Sequence, residues 1–410
     1  MKSVTIVGAG LAGHASAKAL RLQGFDGRVT IIGDEAHRPY DRPPLSKDFL
    51  AGAAQAEELT LEAEGEDLQA EWILGARAAA LGPGDRTVTL TDGRMVRSDA
   101  VVIATGSFAR SLPGVPAGVH TLRTLDDAIA LKTELVSGAR LVVVGSGFIG
   151  LEVASTARSL GLEVTVLGSS GNPLSRSLGA EVGIAVQRLH EAHGIVVRNN
   201  TIVDAVLGAE RVTGVRLASG EVIPADVVVM GIGSVPAVEW LSNAGLNIRG
   251  GLVCGEFGAT AAAGIIGVGD CSAWFDPVRG RHHRVEHWSD SRDRPAAAIA
   301  ALLSGGPPPR GVRPSYLWSD QCGAKIQFAG RVMGDEIVAL EAGGIDSGDL
   351  FMVYRRADRP VAVVGINQLR LVAEWRKRLA SLAVGPRSGA PTSFARPAAL
   401  SLSDETPVGV

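Results

Sequence analysis

The sequence predicts an α/β protein in which two parallel-sheet units are followed by a smaller α+β unit, and three observations carry that prediction. Gly8-Ala9-Gly10-Leu11-Ala12-Gly13 and Gly145-Ser146-Gly147-Phe148-Ile149-Gly150 are glycine fingerprints of one kind, about 137 positions apart. Each follows a short apolar run, 4–7 and 141–144, and each opens a stretch with helical periodicity. Beyond Gly305-Gly306-Pro307-Pro308-Pro309 comes a third pattern, alternating segments and a helix without a fingerprint. In such a turn the first glycine allows the sharp bend and the second lets backbone approach a pyrophosphate. The third lets helix and strand pack closely, with the helix N-terminus facing the anion. One copy is a weak signal in a chain with 52 glycines. Two copies in strand-turn-helix context predict two Rossmann-like dinucleotide-binding domains.

Size and composition agree. A chain of 410 residues holds two or three domains. An apolar content of 46% with 20% charged residues is that of a globular protein, and a net charge of -3 leaves no polycationic surface for nucleic acid. No uninterrupted apolar stretch approaches the ~18 residues of a membrane span, and strand-like sequence begins by residue 4, so a cytoplasmic protein without a secretory signal is expected. Cys254, Cys271 and Cys322 form no Cys-x-x-Cys pair. Neither a disulfide framework, a metal site nor a dithiol redox centre is predicted, and small buried thiols are the better reading.

In chain order, the first unit runs from the 4–7 strand through a helix from Leu11 to a strand at 29–32. Asp34 follows it, 21 residues after Gly13, where an acidic side chain accepts hydrogen bonds from a ribose. Glu35 is next door and competes for that role. A loop rich in Pro and Arg (37–47) leads into four strand-like stretches, among them 87–90 and 100–104, which end in Ala104-Thr105-Gly106-Ser107. The second unit closes its first crossover with a strand at 164–167, and alternating segments follow at 212–217 and 227–231. A return strand then delivers Gly267-Val268-Gly269-Asp270, where a carboxylate at an apolar strand end needs a partner. In the last unit strands are expected at 324–329, 336–339 and 361–366, with a helix at 369–382. From about 385 an Ala-, Pro- and Ser-rich tail is expected to be disordered.

The chain resembles the FAD-dependent ferredoxin reductases that serve Rieske-type oxygenases and bacterial cytochromes P450, relatives of rubredoxin reductase and apoptosis-inducing factor. Six segments in order carry the resemblance, which spans roughly 3–380. They are Arg38-Pro39-Tyr40-Asp41-Arg42-Pro43-Pro44-Leu45-Ser46-Lys47, Ala104 to Ser107, Leu122-Arg123-Thr124-Leu125-Asp126-Asp127-Ala128, Gly267 to Asp270, Arg284-Val285-Glu286-His287-Trp288 and Leu317-Trp318-Ser319-Asp320-Gln321. It implies an FAD domain at 1–109 and 233–309, an inserted NAD(P)H domain at 110–232 and a C-terminal domain at 310–384 over the flavin, with 385–410 as tail. Where related disulfide reductases carry a redox-active cysteine pair, Arg42-Pro43-Pro44-Leu45 has no thiol, so electrons leave the flavin directly.

The resemblance also assigns roles. Gly8, Gly10, Ala12 and Gly13 belong to the pyrophosphate turn of FAD, with Asp34 or Glu35 at its ribose and Ala104, Thr105 and Gly106 beside it. Arg42 is expected at the pyrophosphate, and Arg123 there or at the adenine. Gly269 and Asp270 hold the ribityl chain, and Glu286, His287, Trp288 and Trp318 lie against or close to the flavin. Lys47 and Glu152 stand near the flavin and nicotinamide, paired with each other, and with Trp318 are the expected catalytic residues. His287 is read as structural, because hydride transfer between nicotinamide and flavin needs no further proton shuttle. Gly145, Gly147, Phe148, Ile149 and Gly150 form the NADH turn, with Ser169 and Ser170 at its ribose end.

Here the chain departs from the family, whose NADH-dependent members carry a glutamate where this sequence has Gly168-Ser169-Ser170. Loss of that carboxylate removes the ribose acceptor and the repulsion that excludes a 2′-phosphate, so NADH is expected and NADPH admitted. Asp290-Ser291-Arg292-Asp293-Arg294-Pro295 also replaces the family's Asn-Ala-x-x-Gln-Gly. The expected partner is an acidic [2Fe-2S] ferredoxin, steered by Arg279, Arg281, Arg284, Arg292, Arg294, Arg310 and Arg313, in a monomer or homodimer. Two rivals remain at this level: another acceptor, such as rubredoxin, oxygen or a quinone, and a non-enzymatic signalling flavoprotein like apoptosis-inducing factor.

Overall fold

The computed structural model describes residues 1–277, 279–308 and 314–383. The tail at 385–410 and Arg310 and Arg313 lie outside the described residues. Both fingerprints sit in the turns the sequence predicts. Strand Ser3–Val7 feeds helix Leu11–Leu22, and strand Arg140–Val144 feeds helix Phe148–Ser159.

The two sheets are built on one plan. The first has the order Ala70–Ile73, Arg28–Ile32, Ser3–Val7, Ala100–Ile103 and Ile265–Gly267, all parallel. The second has Val196–Arg198, Glu163–Leu167, Arg140–Val144, Val227–Met230 and Val119–His120, again parallel. Each also carries a three-stranded antiparallel meander before its fourth strand: Ala78–Gly82, Thr87–Leu90 and Met95–Arg97 in the first, Val203–Leu207, Gly214–Leu217 and Val222–Pro224 in the second. Parallel strands covered on both faces read as continuous apolar runs, and Ala100–Ile103 and Val227–Met230 are buried at every residue. The chain passes between the units along a ribbon of Ser107–Ala109 and Ser234–Pro236, closed by Arg110 N–H donating to Gly233 O at 2.9 Å.

The last unit is a five-stranded antiparallel sheet in the order Tyr316–Gln321, Ala324–Gly330, Arg359–Ile366, Leu350–Arg356 and Ile337–Gly343. Two of these strands, Tyr316–Gln321 and Leu350–Arg356, go beyond the three expected. Helix Leu369–Ala383 covers one face through Val372 and Leu379 against Phe351, Val353 and Val363. On the other face Ile326, Phe328, Leu350, Met352 and Val364 join the core of the second nucleotide unit. The sheet is therefore fixed against its neighbours by burial, at about 1.5–3 kcal/mol for each large apolar side chain.

Candidate functional site

One cavity of about 1310 Å³ runs between the three units, larger than the ~300–1,000 Å³ of an ordinary small-molecule site. The first glycine turn forms one end. Gly8 takes φ +117°, and a Cβ there would meet Ala104 O at 2.1 Å; one on Gly13 would meet Gly8 O at 1.8 Å. These two glycines lock strand to helix. A Cβ on Gly10 would find only Arg42 Nη2, at 3.9 Å, so the middle glycine leaves backbone open to the cavity. The second turn repeats the arrangement: Cβ atoms on Gly145 and Gly150 would meet Gly231 O at 2.1 Å and Gly145 O at 2.6 Å, while nothing lies within 4 Å of one on Gly147.

A buried carboxylate stands in the cavity wall. Glu152, on helix Phe148–Ser159, is 5% exposed. Its Oε2 accepts from Lys47 Nζ at 2.7 Å and Ser46 Oγ at 2.5 Å, and its Oε1 from Ser319 Oγ at 2.5 Å. A buried carboxylate needs such donors, and these come from the Pro-rich loop and from the C-terminal sheet, so one residue ties all three units. Nearby, Trp288 and Trp318 meet edge to face at 5.4 Å, and Trp288 Nε1 donates to Asp41 Oδ1 at 2.6 Å. Burial pushes the Asp41 carboxyl above the usual carboxylate range, opposed by this hydrogen bond and by the Lys47 charge.

Farther along, Asp270 Oδ2 accepts from Arg123 Nη2 at 2.6 Å, and Oδ1 from Ser291 Oγ at 3.0 Å. Arg42 Nη2 donates to Glu35 Oε1 at 2.7 Å and its Nη1 to Arg123 O at 2.7 Å; Tyr40 also donates to Glu35. Glu35 is thus held in an ion pair, whereas Asp34 is exposed with Arg77 Nε at 3.9 Å. Glu286, one residue before the His287 cap of helix Trp288–Ser304, is exposed and accepts from Ser234 and Arg284. Burial pushes His287 below its usual value, toward the neutral imidazole, and its Nδ1 is buried without a hydrogen bond, 3.7 Å from Asp290 Oδ2.

Among the residues expected from sequence, Gly8, Gly10, Ala12, Asp34, Glu35, Arg42, Lys47, Ala104, Thr105, Gly106, Arg123, Phe148, Ile149, Glu152, Asp270, Glu286, His287, Trp288 and Trp318 all line this cavity. Gly13, Gly145, Gly147, Gly150, Ser169, Ser170 and Gly269 do not. Gly269, with φ +70°, instead packs on the first helix, where a Cβ would lie 2.8 Å from Ala12 Cβ. Sequence reasoning gave no role to Tyr40, Asp41, Ser46, Ser291 or Ser319. Ser46 beside Lys47 and Ser319 beside Trp318 were the available signals, since a short hydroxyl next to a charged or aromatic site residue can reach what that residue reaches.

The arginine cluster differs from expectation. Arg279 is 9% exposed along its side chain, with Nη2 donating to Val332 O at 2.8 Å. Arg294 is buried on Asp290 at 2.8 Å, Arg284 binds Glu286, and Arg292 binds Asp293 at 2.8 Å. Arg279 Nε is buried without a hydrogen bond and Arg281 is exposed, so it is Arg284, Arg292 and Arg294 that pair their charge with a neighbouring carboxylate. Among the described residues no helix is long and apolar enough to cross a membrane. Burial raises the thiols of Cys254 and Cys271, and no cysteine lines the cavity.

A nucleotide turn present in two copies and a thiol-free cavity lined by a lysine–carboxylate pair define a dinucleotide-dependent oxidoreductase. The chain belongs to the pyridine nucleotide-disulphide oxidoreductase family, whose model matches residues 2–302, with a reductase C-terminal domain matched over 316–388. It is 36% identical over 400 residues to rhodocoxin reductase of Rhodococcus erythropolis, covering 96% of this chain and 93% of that one. It is 37% identical to the ferredoxin reductase component of the chlorobenzene dioxygenase of Cupriavidus sp. (strain PS12), covering 90% of each. The fold matches the crystal structure of the covalent putidaredoxin reductase–putidaredoxin complex with a TM-score of 0.88 at 33% identity, covering 93% of each chain.

Proposed function

We propose that this protein is a ferredoxin reductase, passing electrons from NADH through FAD to a [2Fe-2S] ferredoxin that supplies an oxygenase or a cytochrome P450. The relatives' names support the acceptor class. The observation that carries the reading is the thiol-free cavity joining the first glycine turn to the Lys47–Glu152 pair. With no cysteine beside it, a flavin bound there would pass its electrons directly to an outside acceptor, and the relatives' names favour a ferredoxin. Orphaned polar atoms support the fit of the flavin: Ser107 Oγ and His287 Nδ1 are buried without hydrogen bonds in residues that line the cavity. When bound, FAD supplies the conversion of a two-electron hydride donor into single electrons.

On this reading the chain divides at the Ser107–Ala109 and Ser234–Pro236 ribbon, giving a flavin domain at 1–109 and 233–309 and a nicotinamide domain at 110–232. The C-terminal domain is 310–384. Gly8, Gly10 and Gly13 shape the pyrophosphate turn, and Asp34 is better available to the adenosine ribose than Glu35, which Arg42 and Tyr40 already occupy. Asp270 orients the ribityl chain, with Arg123 and Ser291 fixing its carboxylate. Lys47, its amino group fixed by Glu152, would stand beside the flavin ring. Trp288 and Trp318 exclude water, and the work takes place in the cytoplasm, where NADH is supplied.

A visible spectrum tests the reading. Anaerobic NADH should bleach the yellow protein, and a [2Fe-2S] ferredoxin should then restore its colour. Restoration only by oxygen or a quinone would exclude a ferredoxin acceptor.

A further inference from the structure

The two nucleotide units can be laid over each other by register. Ser3–Val7 pairs with Arg28–Ile32 from Ser3↔Arg28 to Val7↔Ile32, as Arg140–Val144 pairs with Glu163–Leu167 from Arg140↔Glu163 to Val144↔Leu167. Gly8 N–H donates to Ile32 O at 2.7 Å and Gly145 N–H to Leu167 O at 2.8 Å. Position for position, Gly8-Ala9-Gly10 answers to Gly145-Ser146-Gly147, and Gly33-Asp34-Glu35 to Gly168-Ser169-Ser170. Burial follows the same order: Gly33 and Gly168 are buried, Asp34 and Ser169 exposed, Glu35 and Ser170 half-buried. A Cβ on Gly33 would meet Ala9 Cβ at 2.7 Å, and one on Gly168 would meet Ser146 Oγ at 2.8 Å. One turn has been built twice.

Charge is what differs. At the end of the second strand, where a nucleotide fold of this kind reads the ribose 2′ position, the first unit presents two carboxylates and the second two hydroxyls. Among the residues that follow Ser169 and Ser170 are Asn172 and, on the short helix Ser175–Leu178, Arg176. Asn200 N–H donates to Ser170 O at 3.1 Å, and Asn172 and Asn199 both donate to Gln187 Oε1 at 2.6 Å. Arg198, whose carbonyl accepts from Gly168 N–H, is bound through both Nη atoms to Glu221 at 2.7 Å, so that pair brings no net charge.

We propose that this second turn takes a 2′-phosphorylated nicotinamide dinucleotide about as well as the unphosphorylated one, with Ser169 and Ser170 as the residues that leave the choice open. The proposal rests on the reading of a nicotinamide cofactor at this turn. A serine hydroxyl serves a ribose hydroxyl or a phosphate oxygen alike, and discrimination against the phosphate needs a repulsive element that these positions lack. Substituting Gly168 is a poor test, because its new Cβ would displace Ser146. Ser169→Asp, and Ser169→Asp with Ser170→Glu, copy the first turn's acidic pair at positions that are not buried.

The experiment is calorimetric titration of the oxidised, FAD-loaded full chain with NAD⁺ and NADP⁺. The two dissociation constants of the wild type should agree within ~10-fold, and the double variant should weaken NADP⁺ by at least ~10-fold while leaving NAD⁺ within ~3-fold. A wild type that prefers NAD⁺ by more than ~100-fold overturns the proposal. So does a double variant that leaves the ratio unmoved, since discrimination then resides elsewhere. Binding of neither nucleotide to flavin-loaded protein sinks the nicotinamide reading itself, and the proposal with it.

Discussion

Asp270 and Arg123 are 147 positions apart and meet at 2.6 Å in a cavity wall where the carboxylate is 8% exposed. A charge-assisted bond from this carboxylate to a ribityl hydroxyl would contribute about 1.5–3 kcal/mol, so Asp270→Ala should weaken FAD binding by roughly 10- to 150-fold. Flavin content after gel filtration, with the far-ultraviolet spectrum as control, checks it; full occupancy would show that the ribityl assignment is mistaken. The strand-end carboxylate was legible from its spacing, but Arg123 as its partner was not, because no local pattern reports a contact across 147 residues. The same limit hid the hydroxyls that hold Glu152, which come from Ser46 and Ser319 in distant segments. Replacing Cys254, Cys271 and Cys322 together by serine should leave electron transfer largely intact, since none lines the cavity. Stopped-flow reduction of the flavin measures this, and loss of the reaction with flavin and fold retained would mean that a thiol carries electrons.

At the scale of elements, the glycine turns separate binding from folding. A methyl group on Gly13 must push against Gly8 O, 1.8 Å from its ideal place, and one on Gly10 meets nothing nearer than 3.9 Å. Gly13→Ala should therefore lower thermal stability of the apoprotein, by the 1–3 kcal/mol of an overpacked contact. Gly10→Ala should fold normally yet take up flavin poorly, because its methyl group stands where the pyrophosphate approaches. Equal melting temperatures for both apoproteins would contradict this division of roles. Both turns were legible because their strand, glycines and helix are contiguous. The strand Leu350–Arg356 was not, and the cause is its setting: five successive residues are buried, since one face meets helix Leu369–Ala383 and the other the second nucleotide unit. A central strand covered on both sides shows no alternation. Tyr316–Gln321 was recognised for its Trp-Ser-Asp rather than as a strand, and its hairpin turns through Cys322 at φ 50° and Gly323 at φ 73°.

Over the whole molecule, charge is handled by pairing and burial, and both have measurable consequences. Burial pushes His283 down to about 4 from an ordinary 6.5, with Arg279 and Arg294 adding to it, and burial also lowers His190 and His287. Between pH 6.5 and 4 the unfolded chain binds protons that the native state refuses, so stability is full above 6.5 and falls as pH drops through that window. Melting temperature should thus be lower at pH 5 than at pH 7, and His283→Gln should narrow the gap; an unchanged gap would assign the loss to other groups. Partner recognition follows the same logic. Read from sequence alone, arginines from 279 to 294 suggest a cationic mouth for an acidic ferredoxin. In the folded chain Arg284, Arg292 and Arg294 each bind a carboxylate of Glu286, Asp293 and Asp290, and Arg279 lies beside Asp276 at 3.7 Å, which leaves Arg281 as the exposed cation of the group. Paired charges leave short-ranged fields that die away within the ~8 Å Debye length, so added salt has little left to screen. An unpaired charged cleft raises association rates ~10- to 10³-fold, and a neutralised one should gain far less. The rate of ferredoxin reduction should therefore decline with ionic strength by well under ~10-fold between 0.05 and 0.5 M salt, with hydride transfer from NADH nearly constant. Stopped-flow traces of each half-reaction across that series decide the matter: a steep fall confined to ferredoxin reduction would mean that the pairs open on docking and present their arginines to the partner.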